Sequence, residues 1–169
     1  MDAPEEEVVL LACQALERQT AFKSLERTLL LTRAHIVIAP FDQAKLRQVR
    51  DARVAEARAQ GASRFQQMWY GAQAPFALID SYPGMTIEAV QAEMPTVRLL
   101  GYADIEEINL LPAAAPAHSR QRTPGATPHK LVLMMPTETI SLQVDGHTDP
   151  RNLRRLLRDI VQEKIVGSE

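Results

Sequence analysis

The chain has one cysteine, Cys13, which excludes an internal disulfide framework. Its place in the apolar run Val8–Cys13 reads as a buried thiol of a reducing compartment. No apolar run approaches the roughly 18 residues that a membrane-spanning helix needs. The acidic start Met1-Asp2-Ala3-Pro4-Glu5-Glu6-Glu7 lacks the basic charge that opens a signal peptide. A cytoplasmic chain is expected. Nor is either sign of charge in excess: 19 Lys and Arg stand against 21 Asp and Glu, so there is no strong positive field to attract nucleic acid.

Catalytic and metal signatures are missing as well. There is no G-x-S-x-G, no P-loop and no G-x-G-x-x-G. The four histidines (35, 118, 129 and 147) form no ligand pair, and Cys13 has no polar partner nearby in sequence. Glu106 and Glu107, read as neighbours in a strand, would point to opposite sides and could not share acid–base work. The expectation is therefore no enzyme, with no catalytic residue, metal or cofactor.

What is present is a 46% hydrophobic composition, enough for a packed core, in a chain of 169 residues that reads as one domain over 1–169. Residues 5–16 fit a helix or a buried strand equally, since acidic residues precede an apolar run without a clean stripe. Thr28–Thr32 and His35–Ala39, parted by Arg33-Ala34 and stopped by Pro40, read as a β-hairpin. Residues 42–60 are rich in alanine and long unbranched side chains, with Asp42 as N-cap and Gly61 as stop, and predict a helix. A second helix follows Ser63. Its residues Phe65, Met68, Trp69, Ala72, Phe76 and Ile79 share one stripe, and Pro75 must interrupt it. A third covers Thr86–Met94. Strand character returns over Val97–Leu111, with a break near Gly101, and over Lys130–Met135 and Glu138–Val144. Residues 112–128, with four prolines, Arg120 and Arg122, read as a flexible loop. The terminal helix is the clearest element: Asp149 caps it, Pro150 takes its first position, and Leu153, Leu156, Leu157, Ile160 and Val161 form its stripe.

Three stretches carry a resemblance to the bacterial pleckstrin-homology-like (PH/GRAM-like) domains. They are TLLLTRAHIVIA (28–39), GYADIEEINLL (101–111), and LVLMM…ISLQV followed by LRRLLRDIV. TIEAVQAEM (86–94) is similar to the short helix that some members insert. The resemblance implies an α+β fold: an antiparallel sheet of about seven strands, forming a partly open barrel closed by the C-terminal amphipathic helix. Residues 42–94 would then be a helical insertion. Phosphoinositide-reading PH domains cluster Lys and Arg in the first hairpin, whereas Arg18, Lys23 and Arg27 are scattered here.

The function expected on these grounds is a non-catalytic binding or scaffold module that contacts a protein partner or a second copy of itself. The alternative is a peripheral module on anionic membranes, using the arginines of helix 42–60 or Arg151, Arg154, Arg155 and Arg158; an enzyme of unrecognised type ranks last. Those four fall at i, i+3, i+4 and i+7 on one face, where dipole arguments do not explain Arg151 or Arg154; the competing reading is a solvated face. In helix 42–60, Arg50 and Arg53 share the face of Leu46 and Ala57, which suits a packed helix better than an interfacial one. Trp69 reads as core or inter-helix packing more readily than as a platform, while Tyr70 points elsewhere and can meet a partner. A sheet and terminal helix that close on each other need no further cover, so the second helix's stripe must be buried by the first helix, the sheet's outer face or another chain. Trp69, Tyr70 and Phe76, with the four arginines, are the candidate partner-binding residues.

Overall fold

A computed structural model describes residues 6–112 and 128–161 of the chain. In chain order these form β1 (Leu11–Arg18), β2 (Ser24–Leu31), β3 (His35–Pro40), α1 (Gln43–Ala59), α2 (Arg64–Ala72), α3 (Ala74–Ile79), α4 (Ile87–Glu93), β4 (Arg98–Gly101), a 3₁₀ turn (Tyr102–Asp104), β5 (Glu107–Pro112), β6 (His129–Met134), β7 (Thr139–Val144) and α5 (Pro150–Ile160). The ambiguous stretch 5–16 is thus a strand over its second half. The expected loop 112–128 lies outside the described residues except for its two end prolines. Glu106 precedes β5, so only Glu107 of the acidic pair is in a strand.

The seven strands form one antiparallel sheet in the order β4-β3-β2-β1-β7-β6-β5. Its two edge strands, β4 and β5, are neighbours in sequence, and that forces the curvature. The connection from Gly101 to Glu107 reaches at most roughly 21 Å, whereas the edges of a flat seven-stranded sheet lie roughly 29 Å apart. The sheet must curl into a half-barrel. An Arg98–Glu138 ion pair spans the gap, joining β4 to the β6–β7 turn.

Inside the curl, Cys13, Leu29, Leu31, Ile36, Ile108, Leu131, Leu133 and Leu142 pack against Leu153 and Leu157 of α5. The terminal helix therefore closes one end, with Asp149 accepting a hydrogen bond from the Arg151 N–H at 2.9 Å. Burial raises the Cys13 thiol to about 12, Thr148's hydrogen bond working against it and Asp145's charge with it. A curled antiparallel sheet with a C-terminal helix fits the PH-like fold.

The sheet's outer face departs from expectation. Leu30, Val37 and Ala39 are fully buried there, under Phe41, Leu78, Tyr82, Ile87, Val90 and Met94, with Leu46 and Val49 of α1 alongside. Strands β2 and β3 are apolar on both sides, as their unbroken runs Leu29-Leu30-Leu31 and Ile36–Ala39 record. This part of the sheet does need a second cover, and α1, α3 and α4 supply it. The chain before β1 is stitched to the α3–α4 turn by the Val9 N–H to the Met85 carbonyl (2.9 Å) and the Gly84 N–H to the Val9 carbonyl (2.8 Å). Gly84 has a φ of +88°, a conformation that side-chain-bearing residues rarely adopt.

Candidate functional site: a groove between the inserted helices and the sheet

Ser63 caps α2 in a reciprocal box with Gln66: the Gln66 N–H donates to Ser63 Oγ (3.3 Å) and the Ser63 N–H to Gln66 Oε1 (2.8 Å). Pro75 opens α3 after Gln73, so the helix is broken where proline forbids its continuation. What fastens α2 to α1 is a glycine. A Cβ placed on Gly71 would lie 3.2 Å from Val54 Cγ2 and 3.4 Å from Arg50 Cγ. The helices approach over that bare backbone, and the aromatic stripe lies on a different face of α2.

That corrects the sequence reading of Trp69. It is 60% exposed, with Phe65 at 72% and Met68 at 66%; Tyr70 and Phe76 are exposed at 41% and 37%. The predicted stripe is divided between α2 and α3, and nothing in the described residues covers most of Phe65, Met68 and Trp69. The sheet's outer face is met by Leu78, Tyr82, Ile87 and Val90 instead. Of the predicted stripe only Ile79 is engaged there.

Below this ridge runs an open groove of about 950 Å³. One wall is the sheet, through Gln14 of β1 and Glu26 of β2; the other is helical, through Leu46, Arg53, Trp69, Gln73, Phe76 and Asp80. Phe41, Asp145 and His147 also line it. The His147 and Phe76 rings meet edge to face, centroids 4.2 Å apart. Thr28, directly across the ladder from Gln14, has its hydroxyl buried with no hydrogen-bond partner among the described residues. A smaller hollow of about 540 Å³ lies on the far side of Trp69, lined by Phe65, Gln66, Tyr70 and Gln73.

The groove's charges come from separate elements. Glu26 accepts from Gln43 Nε2 at 2.7 Å, and Asp145 Oδ1 from the His147 N–H at 3.3 Å. None of Glu26, Asp80 and Asp145 makes an ion pair among the described residues. The one arginine in the lining, Arg53, is tied to α2: it donates to the Tyr70 carbonyl and to Gln73 Oε1, both at 3.4 Å, with its guanidinium 5.9 Å from the Tyr70 ring centre. Tyr70 therefore does not stand apart as expected but carries Arg53 on its ring.

The arginine face of α5 is divided. Arg154 is half-buried and reaches the Leu110 carbonyl on edge strand β5 at 3.4 Å, while Arg151, Arg155 and Arg158 are exposed. On α1, Lys45 pairs with Glu93 and lies 5.1 Å from the Tyr82 ring centre, and Arg47 and Arg58 are exposed. Among the described residues no three or more His, Cys, Asp or Glu side chains gather as a metal ion would require, and no helix is long and apolar enough to cross a membrane. Sequence reasoning missed Glu26, Asp80, Asp145 and His147 as neighbours. They lie on β2, at the end of α3 and in the turn after β7, and no local pattern joins those three places.

No family model matches the sequence, and no curated protein matches it. Among solved structures, the hSac2 domain from human phosphoinositide phosphatase Sac2 is similar, with 9% identity and a TM-score of 0.44 over 99% of this chain and 80% of that one.

Proposed function

We propose that this chain is a non-catalytic binding module whose inserted helices dock a protein partner. The observation that carries the reading is the row Phe65, Met68, Trp69, Tyr70 and Phe76, exposed together on α2 and α3 beside an open groove. Large apolar side chains scattered singly are ordinary; four that share two hollows through Trp69, with Met68 beside a third, are not. Full burial of a wholly exposed side chain is worth roughly 1.5–3 kcal/mol, and each of these gains the part of it that matches its remaining exposure, so covering several contributes to a micromolar affinity. Central aromatic anchors ringed by polar groups are also the usual composition of an interaction hot spot.

The test is a Trp69→Ala, Phe76→Ala double variant. It should remain folded with a modestly lowered thermal midpoint, since Trp69 is largely exposed and Phe76 gives up only its partly exposed contact with His147. Its association with partner, read by pull-down and sedimentation, should be lost. A wild type that stays monomeric at high concentration and captures nothing through this ridge defeats the reading.

A second reading, an anionic-membrane module, is favoured by the exposed row Arg151, Arg155 and Arg158 on α5. Liposome co-sedimentation separates the two. Under the docking reading, pelleting with anionic vesicles stays at the level of neutral ones and is unchanged when those three arginines become glutamine.

A further inference from the structure

We infer that the segment held by this groove is cationic and amphipathic: a stretch of a partner protein that sets Lys or Arg beside large apolar residues. The inference rests on the docking reading above and adds the partner's chemistry.

Two independent features of one groove lead to it. The first is apolar: Phe41, Leu46, Trp69 and Phe76 offer surface that only apolar side chains can cover to advantage. The second is electrostatic. Glu26, Asp80 and Asp145 enter from the sheet, from α3 and from the turn after β7, so an occupant meets carboxylates on several sides. Glu26 and Asp145 receive only neutral N–H donors, and none of the three has an ion-pair partner among the described residues. The only guanidinium in the lining, Arg53, turns two of its five N–H donors to Tyr70 and Gln73, and its single positive charge leaves the three carboxylates in excess. An anionic segment would set its own carboxylates against these three, whereas a cationic one is steered in and held. Trp69 and Phe76 also present aromatic faces on which a Lys or Arg head can rest. A purely polar basic peptide would leave the ridge wet, and a purely apolar one would strip water from the carboxylates without pairing them. The combination selects an amphipathic cation.

The experiment uses the full chain and three short synthetic peptides: Leu and Lys at helical spacing, the same pattern with Glu for Lys, and Ser with Lys. Trp69 is the only tryptophan, so its emission reports on the site directly. The Leu/Lys peptide is expected to shift that emission saturably and to bind at least about tenfold more tightly than either other peptide, the advantage over Leu/Glu shrinking as salt is raised. An Asp80→Asn, Asp145→Asn variant should melt like the wild type and lose most of that preference. Equal or tighter binding of the Leu/Glu peptide, or no saturable response to Leu/Lys, overturns the inference. So does a concentration-dependent oligomer abolished by Arg151→Gln, Arg155→Gln, Arg158→Gln, which would make the occupant the arginine face of a second copy. The Trp69→Ala, Phe76→Ala variant, followed by peptide anisotropy, tells the two failures apart. If the acidic peptide binds and needs the ridge, docking stands and the cationic preference falls; if the ridge variant binds like the wild type, the docking reading falls itself.

Discussion

Phe76 and His147 touch edge to face, 4.2 Å between ring centres, although one belongs to the inserted helices and the other to the turn that leads from the sheet into α5. That contact, in the lining of the groove, ties the insertion to the turn after β7. An aromatic pair of this geometry contributes about 0.5–1.5 kcal/mol beyond the area it buries. A double-mutant cycle with Phe76→Ala and His147→Ala, read by urea denaturation, should therefore return a coupling energy in the lower part of that range, since both rings are exposed. A coupling of zero would mean that the rings meet without tying the insertion to that turn.

The terminal helix gives a sharper test of packing. Leu157 is fully buried between α5 and the curled sheet, whereas Leu156 is half-buried at the edge of the same cluster. Leu157→Ala should cost about 2–5 kcal/mol, the range for a core leucine that leaves a cavity. Leu156→Ala should cost clearly less. Denaturant midpoints of the two variants settle the order, and a larger loss at Leu156 would place the helix in the wrong rotation.

How much of this was legible follows from what a local pattern can record. The hairpin Leu29–Ala39 and the helix after Asp149 were plain because propensity, caps and periodicity agreed there. Strand β1 was not: Ala12 packs outward while Cys13 and Ala15 pack inward, and a strand apolar on both faces loses its alternation. The stripe on α2 was legible as a face, but periodicity says which residues stand together and not what covers them. Arg154 matched its three neighbours in sequence yet turns to the Leu110 carbonyl. The groove could not be read at all, because Gln14, Glu26, Phe76 and Asp145 meet only once the sheet has curled and the insertion has folded back over it.

Tyr82 shares the alkaline limb with Cys13 and Tyr102, whose pKa values burial also raises. It is fully buried, with Met94 Sδ at 4.0 Å from its hydroxyl. Desolvation first, then the charges of Asp42 and Glu93, raise its pKa from 10.0 to about 12. A group raised on folding contributes stability that is complete below its unfolded value and lost as pH rises through the folded one. The share that Tyr82 contributes should therefore be lost between pH 10 and 12. Tyr82→Phe should change little at neutral pH, since the hydroxyl has only a weak sulfur acceptor, and should reduce the alkaline slope by about 1.4 kcal/mol per pH unit. An unchanged slope would show that Tyr82 reaches water in the folded state.

Glu7 sets the acid limb, with the opposite sign. Its carboxylate is held against the β2–β3 hairpin by the Thr32 hydroxyl and by His35 Nδ1 at 2.8 Å. Burial alone would raise its pKa, but the hydrogen bonds from Thr32 and His35, the His35 charge and the Ala34 backbone together outweigh it and leave the carboxyl below its usual 4.5. A group lowered on folding contributes stability that is present above the unfolded value and lost as pH falls through the folded one. The segment before β1 should thus loosen below about pH 4.5. Glu7→Gln should be less stable than the wild type near neutral pH, with the gap narrowing as acid protonates the native carboxyl. Urea midpoints of both proteins, taken stepwise from pH 7 to pH 3, check this; curves that stay parallel across the whole range would show that Glu7 does not anchor the hairpin by its charge.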